Sequence, residues 1–134
     1  MEDMDRIEQL KYRYCRSFDE GDLDALIALF AADAVCELDS FGTWRGVGEI
    51  RAGFAEQMVN TGVPGRVMHV VSNPLIDIDG DHASAQWYLV DYSIAPGETS
   101  PVKIIATYDD EYRCENGEWL FARTSLRIRW RRPA

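Results

Sequence analysis

The sequence is poor in several residue types and motifs, and each shortage excludes a class of protein. Among its 134 residues, the three cysteines Cys15, Cys36 and Cys114 are too few, too scattered and odd in number for a disulfide scaffold. No apolar run approaches the roughly 18 residues that a membrane span needs. The acidic N-terminus lacks the basic and apolar regions of a signal peptide, so we expect a protein of the reducing cytoplasm.

Motifs for metal or nucleotide chemistry are missing as well. There is no cysteine–histidine pair at metal-ligand spacing, no phosphate-binding glycine loop and no G-x-S-x-G nucleophile elbow. The net charge of −9 disfavours nucleic acid as a partner. We therefore expect a protein that works without a metal or cofactor and that binds neither nucleic acid nor membrane.

What is present is the composition of an ordinary folded domain. Hydrophobic residues make up 46% of the chain and charged residues 28%, as in typical globular proteins. The length suits one domain over residues 1–134, with enough buried surface for a core that needs no cross-links.

The first part of the chain has helical periodicity. Ile7, Leu10, Tyr14 and Phe18 recur at spacings of three and four, which predicts one stripe of an amphipathic helix ending before Gly21. A second helix is predicted over 23–30, with an aspartate at its N-cap. A third is predicted over 50–58, where a glycine weakens the helical propensity.

Alternating apolar residues predict strands in the remainder. The predicted strands are separated by Asp-Gly, Pro-Gly and Asn-Gly turns, and they cover 35–39, 67–72, 75–79, 83–94, 102–114 and 119–130. Helices followed by an antiparallel meander indicate an α+β fold. Three helices on a curved sheet can enclose a ligand cavity.

Three polar side chains are predicted on apolar faces, and a fourth lies at the end of a helix. His69 and Asp91 each alternate with exposed positions on a strand, Tyr14 lies on the buried stripe of the first helix, and Asp19 ends that helix. Each has a structural explanation, since a buried histidine or tyrosine needs only a hydrogen bond, and a buried carboxylate must be paired or protonated. The other histidine, His82, follows a turn and is expected in solvent.

The order of elements and four sequence segments resemble the SnoaL-like branch of the NTF2-like superfamily. The segments are RYCRSFDEGDLDALIALFAADAV (13–35), the G-x-x-x-I of 46–50, MHVVSNPLIDIDGDHASA (68–85) and NGEWLFAR (116–123). The resemblance implies a cone-shaped α+β barrel, with three N-terminal helices packed on a curved mixed, mostly antiparallel sheet around an apolar cavity. Members of the superfamily include dehydratases, dehydrochlorinases, ketosteroid isomerases, polyketide cyclases and non-catalytic binding modules.

The polar residues are most similar to those of the scytalone dehydratase and bile acid 7α-dehydratase group. Asp19 and His69 look like its aspartate–histidine pair, and Tyr14 and Asp91 match a tyrosine and a second carboxylate. The resemblance implies a cofactor-free lyase that dehydrates a hydrophobic cyclic or polycyclic hydroxylated molecule, with His69 as general base.

Further residues are expected around such a substrate. The group carries an arginine near the end of the last strand, for which Arg123, Arg127 and Arg129 are candidates, and Arg127 is our choice. Plausible cavity walls are the side chains of four apolar residues. They are Phe18, Trp44, Met58 and Trp87.

Other functions remain open at this point. A ketosteroid isomerase would use Tyr14 with Asp109 or Asp110 as an oxyanion hole, but its catalytic base falls at Leu38, and Asp39 should face the other way. A polyketide cyclase and a non-catalytic binding module or partner subunit share the same fold.

A homodimer or homotrimer is also expected. The long strands would present an amphipathic outer face, where four residues are predicted to lie. They are Gln86, Tyr88, Tyr92 and Ile94.

Overall fold

The computed structural model describes residues 1–133. The helices are α1 (Asp3–Asp19), α2 (Leu23–Ile27) and α3 (Gly46–Thr61), with a 3₁₀ turn at Asp39–Phe41. The strands are β1 (Phe30–Leu38), β2 (Thr43–Arg45), β3 (Val67–Asp79), β4 (His82–Ser93), β5 (Val102–Glu115) and β6 (Glu118–Arg132). Within this described part, no helix is long and apolar enough to cross a membrane.

The six strands form one curved, mixed sheet under the three helices. Its order is β2-β1-β6-β5-β4-β3, with β1 parallel to β6 and every other pair antiparallel. The predicted α+β class and mostly antiparallel mixed sheet are confirmed. The implied barrel stays open, because β2 and β3 are the two edges of the described sheet.

Three element boundaries differ from the sequence prediction. The second helix ends at Ile27, and Phe30 begins β1, where its ring stacks on Phe121 of β6 at 5.2 Å. Trp44 lies in the short β2, which was not among the predicted strands. The strands predicted at 67–72 and 75–79 are one strand, β3, interrupted by an irregularity between Ser72 and Leu75.

The buried face of the sheet follows strict alternation on β4. Ala83, Ala85, Trp87 and Leu89 are buried, while the residues between them are exposed. The helical stripe of α1 packs on this face, as its spacing predicts. The polar residues predicted on apolar faces therefore point between helices and sheet.

Candidate active site

A cavity of about 310 Å³ lies between α1, α3 and the inner face of the sheet. At its inner end are Tyr14 and Tyr108, which are only 3% and 2% exposed. The exposed residues Asn60 and Arg131 line its open end. Its walls between these ends are mainly apolar, and they include Phe18, Leu38, Phe54, Leu89, Ile104 and Leu126.

His69 lines this cavity and contacts Asp19 behind the cavity wall, where the end of α1 approaches β3. The ring Nδ1 of His69 lies 2.6 Å from Asp19 Oδ1, and the backbone N–H of His69 donates to Asp19 Oδ2 at 3.0 Å. A carboxylate only accepts hydrogen bonds, so Nδ1 carries the proton that points at Asp19. The second ring nitrogen, Nε2, is thereby left as the proton acceptor.

Asp91 lies on the Nε2 side of the same imidazole. It stands directly opposite His69 in the β3–β4 ladder, and its Oδ2 is 3.5 Å from Nε2. Among the described residues, its buried Oδ1 has no hydrogen-bond partner. His69 and Asp91 keep 12% and 14% of their side-chain surface exposed. Both residues line the cavity, so a molecule bound there lies beside the imidazole and the carboxyl group of Asp91 together.

The environment shifts the pKa of both groups. Burial alone would lower the pKa of His69, but the Asp19 hydrogen bond and the charges of Asp91 and Asp19 outweigh it, and the net shift is upward. Burial raises the pKa of Asp91, with the imidazole opposing that shift. Both groups therefore hold a proton more strongly than they would in water.

The cavity arginine is Arg131, and not the expected Arg127. Arg131 lies opposite Ile104, which itself lies opposite Asp91, and it lines the cavity. Two irregularities in the β5–β6 ladder, between Ile105 and Ala106 and between Glu111 and Tyr112, each reverse which residues of β6 face inward. Simple alternation from the buried Trp119 therefore places Arg127 inward, although it lies between the two irregularities and faces outward, and the second irregularity returns Arg131 to the inner face.

The other arginines of β6 lie away from the cavity. Arg127 pairs with Thr107 and is exposed on the outer face of the sheet. Arg123 forms an ion pair with Glu37. Arg129 also borders an outer-face depression.

Two tyrosine hydroxyls meet at the inner end of the cavity. The hydroxyl oxygens of Tyr14 and Tyr108 are 3.4 Å apart. Burial raises the pKa of both tyrosines well above the usual value. Both therefore stay protonated and can donate hydrogen bonds. The sequence prediction included Tyr14 but missed Tyr108, although alternation along β5 from the buried Ile104 would have placed Tyr108 on the inner face.

Residues needed by a ketosteroid isomerase occupy other surroundings. Leu38 lines the cavity at the position of that enzyme's base, and a leucine accepts no proton. Asp39 is exposed, and its Oδ2 accepts a hydrogen bond from the backbone N–H of Ile128. Asp109 is exposed on the outer face, and Asp110 is fully buried beneath the tyrosine pair.

Of the four expected apolar walls, Phe18 lines the cavity and packs its ring 5.1 Å from that of His69. Trp87 is buried deeper under α1, where its ring meets Tyr12 edge-on. Met58 lies in the core, because the cavity-facing stripe of α3 is offset from its most buried stripe. Trp44 packs on α3, against Phe54.

Comparisons with known proteins agree with this architecture. The family model of the SnoaL-like domain matches residues 1–125. A structure named as a candidate scytalone dehydratase, from Novosphingobium aromaticivorans, has a TM-score of 0.90 at 20% identity, over 98% of this chain and 87% of that one. A type 2 hexachlorocyclohexane dehydrochlorinase gives 0.86 at 16% identity, over 98% and 88%.

A third structure is named as a candidate dehydratase of the NTF2-like family, from Streptomyces avermitilis. It gives a TM-score of 0.83 at 16% identity, over 92% of this chain and 94% of that one. No curated protein matches the sequence closely enough to count as a relative. Likenesses at these identities show a shared fold.

Proposed function

The chain belongs to the family of SnoaL-like domains, and from this premise we propose that it is a cofactor-independent lyase. Its reaction is the removal of water from a hydrophobic, cyclic hydroxylated small molecule. The observation that carries the proposal is the imidazole of His69, held between the carboxyl groups of Asp19 and Asp91 on the wall of an apolar cavity.

The first step is the removal of a proton from carbon, next to a carbonyl group or conjugated with it. Neutral His69 accepts this proton at Nε2, because Nδ1 already donates to Asp19. The Asp19 carboxylate then stabilises the positive imidazolium that forms. General base catalysis of this kind contributes roughly 10²–10⁴-fold in rate.

The second step is the departure of the hydroxyl group. As the electrons of the broken C–H bond form the new C=C bond, the C–O bond breaks, and protonated Asp91 gives its proton to the leaving oxygen, which departs as water. Asp91 is then a carboxylate beside the imidazolium, and the proton on Nε2 passes to Oδ2 across the 3.5 Å gap. Both groups return to their starting states, and the hydrogen and hydroxyl leave from the same face of the substrate.

The developing negative charge needs hydrogen-bond donors. The buried hydroxyls of Tyr14 and Tyr108 can donate to a substrate oxygen at the inner end of the cavity. At the open end, Arg131 supplies a positive charge near Asp91. It favours binding of a polar or anionic substituent there.

The size of the cavity narrows the substrate class. At about 310 Å³, it lies at the lower limit of the roughly 300–1,000 Å³ typical of ligand sites. We therefore propose a substrate with one or two rings, within the wider class of cyclic and polycyclic molecules that the resemblance implies.

The experiment is a turnover assay on bicyclic β-hydroxy ketones such as 3-hydroxy-1-tetralone, whose dehydration gives fluorescent 1-naphthol. His69→Ala and Asp19→Asn should each lower kcat by about a hundredfold or more while the circular dichroism spectrum stays unchanged. His82→Ala is the matched control, since His82 is the other histidine and is exposed. Its turnover should equal that of the wild type.

The same assay separates the alternatives. Product of unchanged mass would indicate an isomerase or cyclase. Tight binding of the ketone without product, in the wild type, would favour a non-catalytic binding module. Equal turnover in His69→Ala and the wild type would contradict the proposed base.

A further inference from the structure

A buried lysine lies behind the inner end of the cavity, and the proposed reaction does not use it. Lys11, on α1, has a side chain that is 0% exposed. Its Nζ lies 3.3 Å from the centre of the Tyr108 ring, 4.5 Å from that of Tyr14 and 5.4 Å from that of Phe121. The ammonium therefore touches the faces of both tyrosines whose hydroxyls meet in the cavity.

The counter-ion of Lys11 is Asp110, on β5. Its Oδ2 lies 2.9 Å from Nζ and accepts a hydrogen bond from the Tyr112 hydroxyl at 2.8 Å. Its Oδ1 accepts one from the Thr124 hydroxyl at 2.6 Å. The hydrogen bonds of this carboxylate go to Tyr112 and Thr124, whereas the aromatic contacts of the ammonium go to the cavity tyrosines. Of the two charged groups, the ammonium of Lys11 is therefore the one in contact with the rings of Tyr14 and Tyr108.

Stability alone does not account for a buried ion pair at this position. Removing two charges from water is costly, and replacing such a pair with apolar residues of similar volume is often neutral or stabilising. A cation against the face of a phenol ring has a second effect. It attracts the electrons of the ring, and it thereby favours negative charge on the hydroxyl oxygen and makes the O–H a stronger hydrogen-bond donor.

We propose that Lys11, held in place by Asp110, is a positioning residue that orients and polarises the Tyr14–Tyr108 hydroxyl pair to bind an oxyanion at the inner end of the cavity. The inference rests on the proposed function in one respect, that these hydroxyls donate to a substrate oxygen. The role of Lys11 is tested by ligand affinity, so the result does not depend on whether the protein turns over a substrate.

The experiment compares two probes of similar size and shape, 4-nitrophenolate and 4-nitrotoluene, which differ in the charged oxygen. Their affinities are measured by calorimetry, at a pH where the free phenol is fully ionised. The variant is Lys11→Met with Asp110→Asn, which removes both charges together. The asparagine amide can accept a hydrogen bond from one of the Tyr112 and Thr124 hydroxyls through its oxygen and donate one to the other through its N–H. Tyr108→Phe, alone and combined with this variant, completes the cycle.

The wild type should bind 4-nitrophenolate more tightly than 4-nitrotoluene, and the double substitution should reduce this preference by about fivefold or more. Tyr108→Phe should also reduce it, and adding the double substitution should then have little further effect. The proposal is overturned if the wild type shows no preference, if neither probe binds, or if the double substitution acts equally with and without the Tyr108 hydroxyl.

A measurement on the wild type covers the case in which the double substitution does not fold. The ¹⁵N resonance of Lys11 Nζ should report a charged ammonium at neutral pH, shifted by the rings and protected from solvent exchange. A neutral amine at that pH would overturn the proposal, because the rings would then face no cation.

Discussion

Among single side chains, His69 shows how opposing effects decide which proton a site holds. Burial favours the neutral imidazole, whereas the hydrogen bond to Asp19 and the charges of Asp91 and Asp19 favour the imidazolium. The imidazolium is stabilised more by these interactions than it is destabilised by burial, so the pKa of His69 rises. A base with a raised pKa accepts a proton from carbon more readily, but a larger fraction of it is already protonated at neutral pH.

Replacing Asp19 should reverse this shift. In Asp19→Asn, the pKa of His69 should fall, because the amide keeps little of the electrostatic attraction to the imidazolium. NMR titration of the ring resonances measures this change. His82 is an internal control in the same spectra, since it is exposed and far along the chain from Asp19. A pKa of His69 that does not change in Asp19→Asn would contradict the assigned hydrogen bond.

The sign of the pH dependence follows from the same shift. The proposed reaction needs neutral His69 together with protonated Asp91, which is one proton for the pair, so turnover in the wild type should follow a bell-shaped pH profile. In Asp19→Asn the lower pKa of His69 should move the loss of the pair's last proton, and with it the decline in turnover at high pH, to lower pH. Folding has its own dependence: the stability that His69 contributes is fully present below its unfolded pKa of about 6.5 and is lost as the pH rises through the folded value.

Local periodicity was enough to place Tyr14, His69 and Asp91 on inward faces, whereas Asp19 was notable only as the last residue of α1. Each of the three lies on a regular stretch of helix or strand, where the spacing decides which side faces the core. Strand pairing decides whether these residues come into contact, and the periodicity of the sequence carries no information about strand pairing. Only the resemblance to a family suggested that they form one set.

Lys11 was missed for a different reason. It lies four residues after Ile7, on the same buried stripe of α1. A lysine is charged, however, so the sequence pattern predicts an exposed residue at that position. Its burial depends on Asp110, which lies 99 positions later and reaches Lys11 only through the fold. A charged pair of this kind is invisible to any local pattern.

Among helices and strands, α3 shows a close contact that explains an unfavourable residue. Gly53 lies inside this helix, where glycine lowers helical propensity. The indole of Trp44, on β2, lies directly over it, and a Cβ at Gly53 would be 2.1 Å from an indole carbon. The glycine therefore allows β2 to pack against α3 and so keeps Phe54 in place at the cavity wall.

Gly53→Ala should therefore destabilise the protein, despite the better helical propensity of alanine. The clash should lower the free energy of unfolding by about 1–3 kcal/mol, measured by urea denaturation. Gly48→Ala is the matched control in the same helix, because nothing lies within 4 Å of the added Cβ. That variant should gain about 0.5 kcal/mol, and a similar gain in Gly53→Ala would contradict the packing role.

The two irregularities of β6 explain why the sequence predicted this strand but not the direction in which its side chains point, including that of Arg127. An extra residue in one strand reverses the inward and outward faces beyond it, and β6 contains two such positions against β5. Strand existence and approximate length were still predictable from turns and alternation. The inward or outward direction of each β6 side chain was not predictable, because the bulges have no distinct signature in this sequence.

For the molecule as a whole, the outer face of the sheet carries an apolar row that no part of the described chain covers. Val70, Val90, Ile105 and Trp130 are adjacent across β3, β4, β5 and β6, and three of these four are more than 40% exposed. Tyr88 and Tyr92, predicted on this face, are also exposed. An exposed apolar patch on a sheet is typical of an interaction surface.

Charges of both signs on one side of this row favour a second copy of the chain as the partner. Arginines lie on β6, and acidic residues lie on the strands across the face. The outward-facing arginines are Arg127 and Arg129, and the acidic residues are Asp77, Asp109 and Glu111. A twofold axis through the apolar row and parallel to the strands would bring β6 of one copy, with its arginines, toward β3 of the other, which carries Asp77.

Sedimentation of the protein should therefore give a species larger than the 15.3 kDa chain. Ile105→Glu, at the centre of the row, should shift it to a monomer, because burying an unpaired carboxylate costs several kcal/mol. Val59→Glu is the matched control, since Val59 is 76% exposed on α3, away from the sheet, and it should leave the assembly unchanged. A wild type that sediments as a single chain, or two variants with equal effects, would show that this face pairs with no second copy.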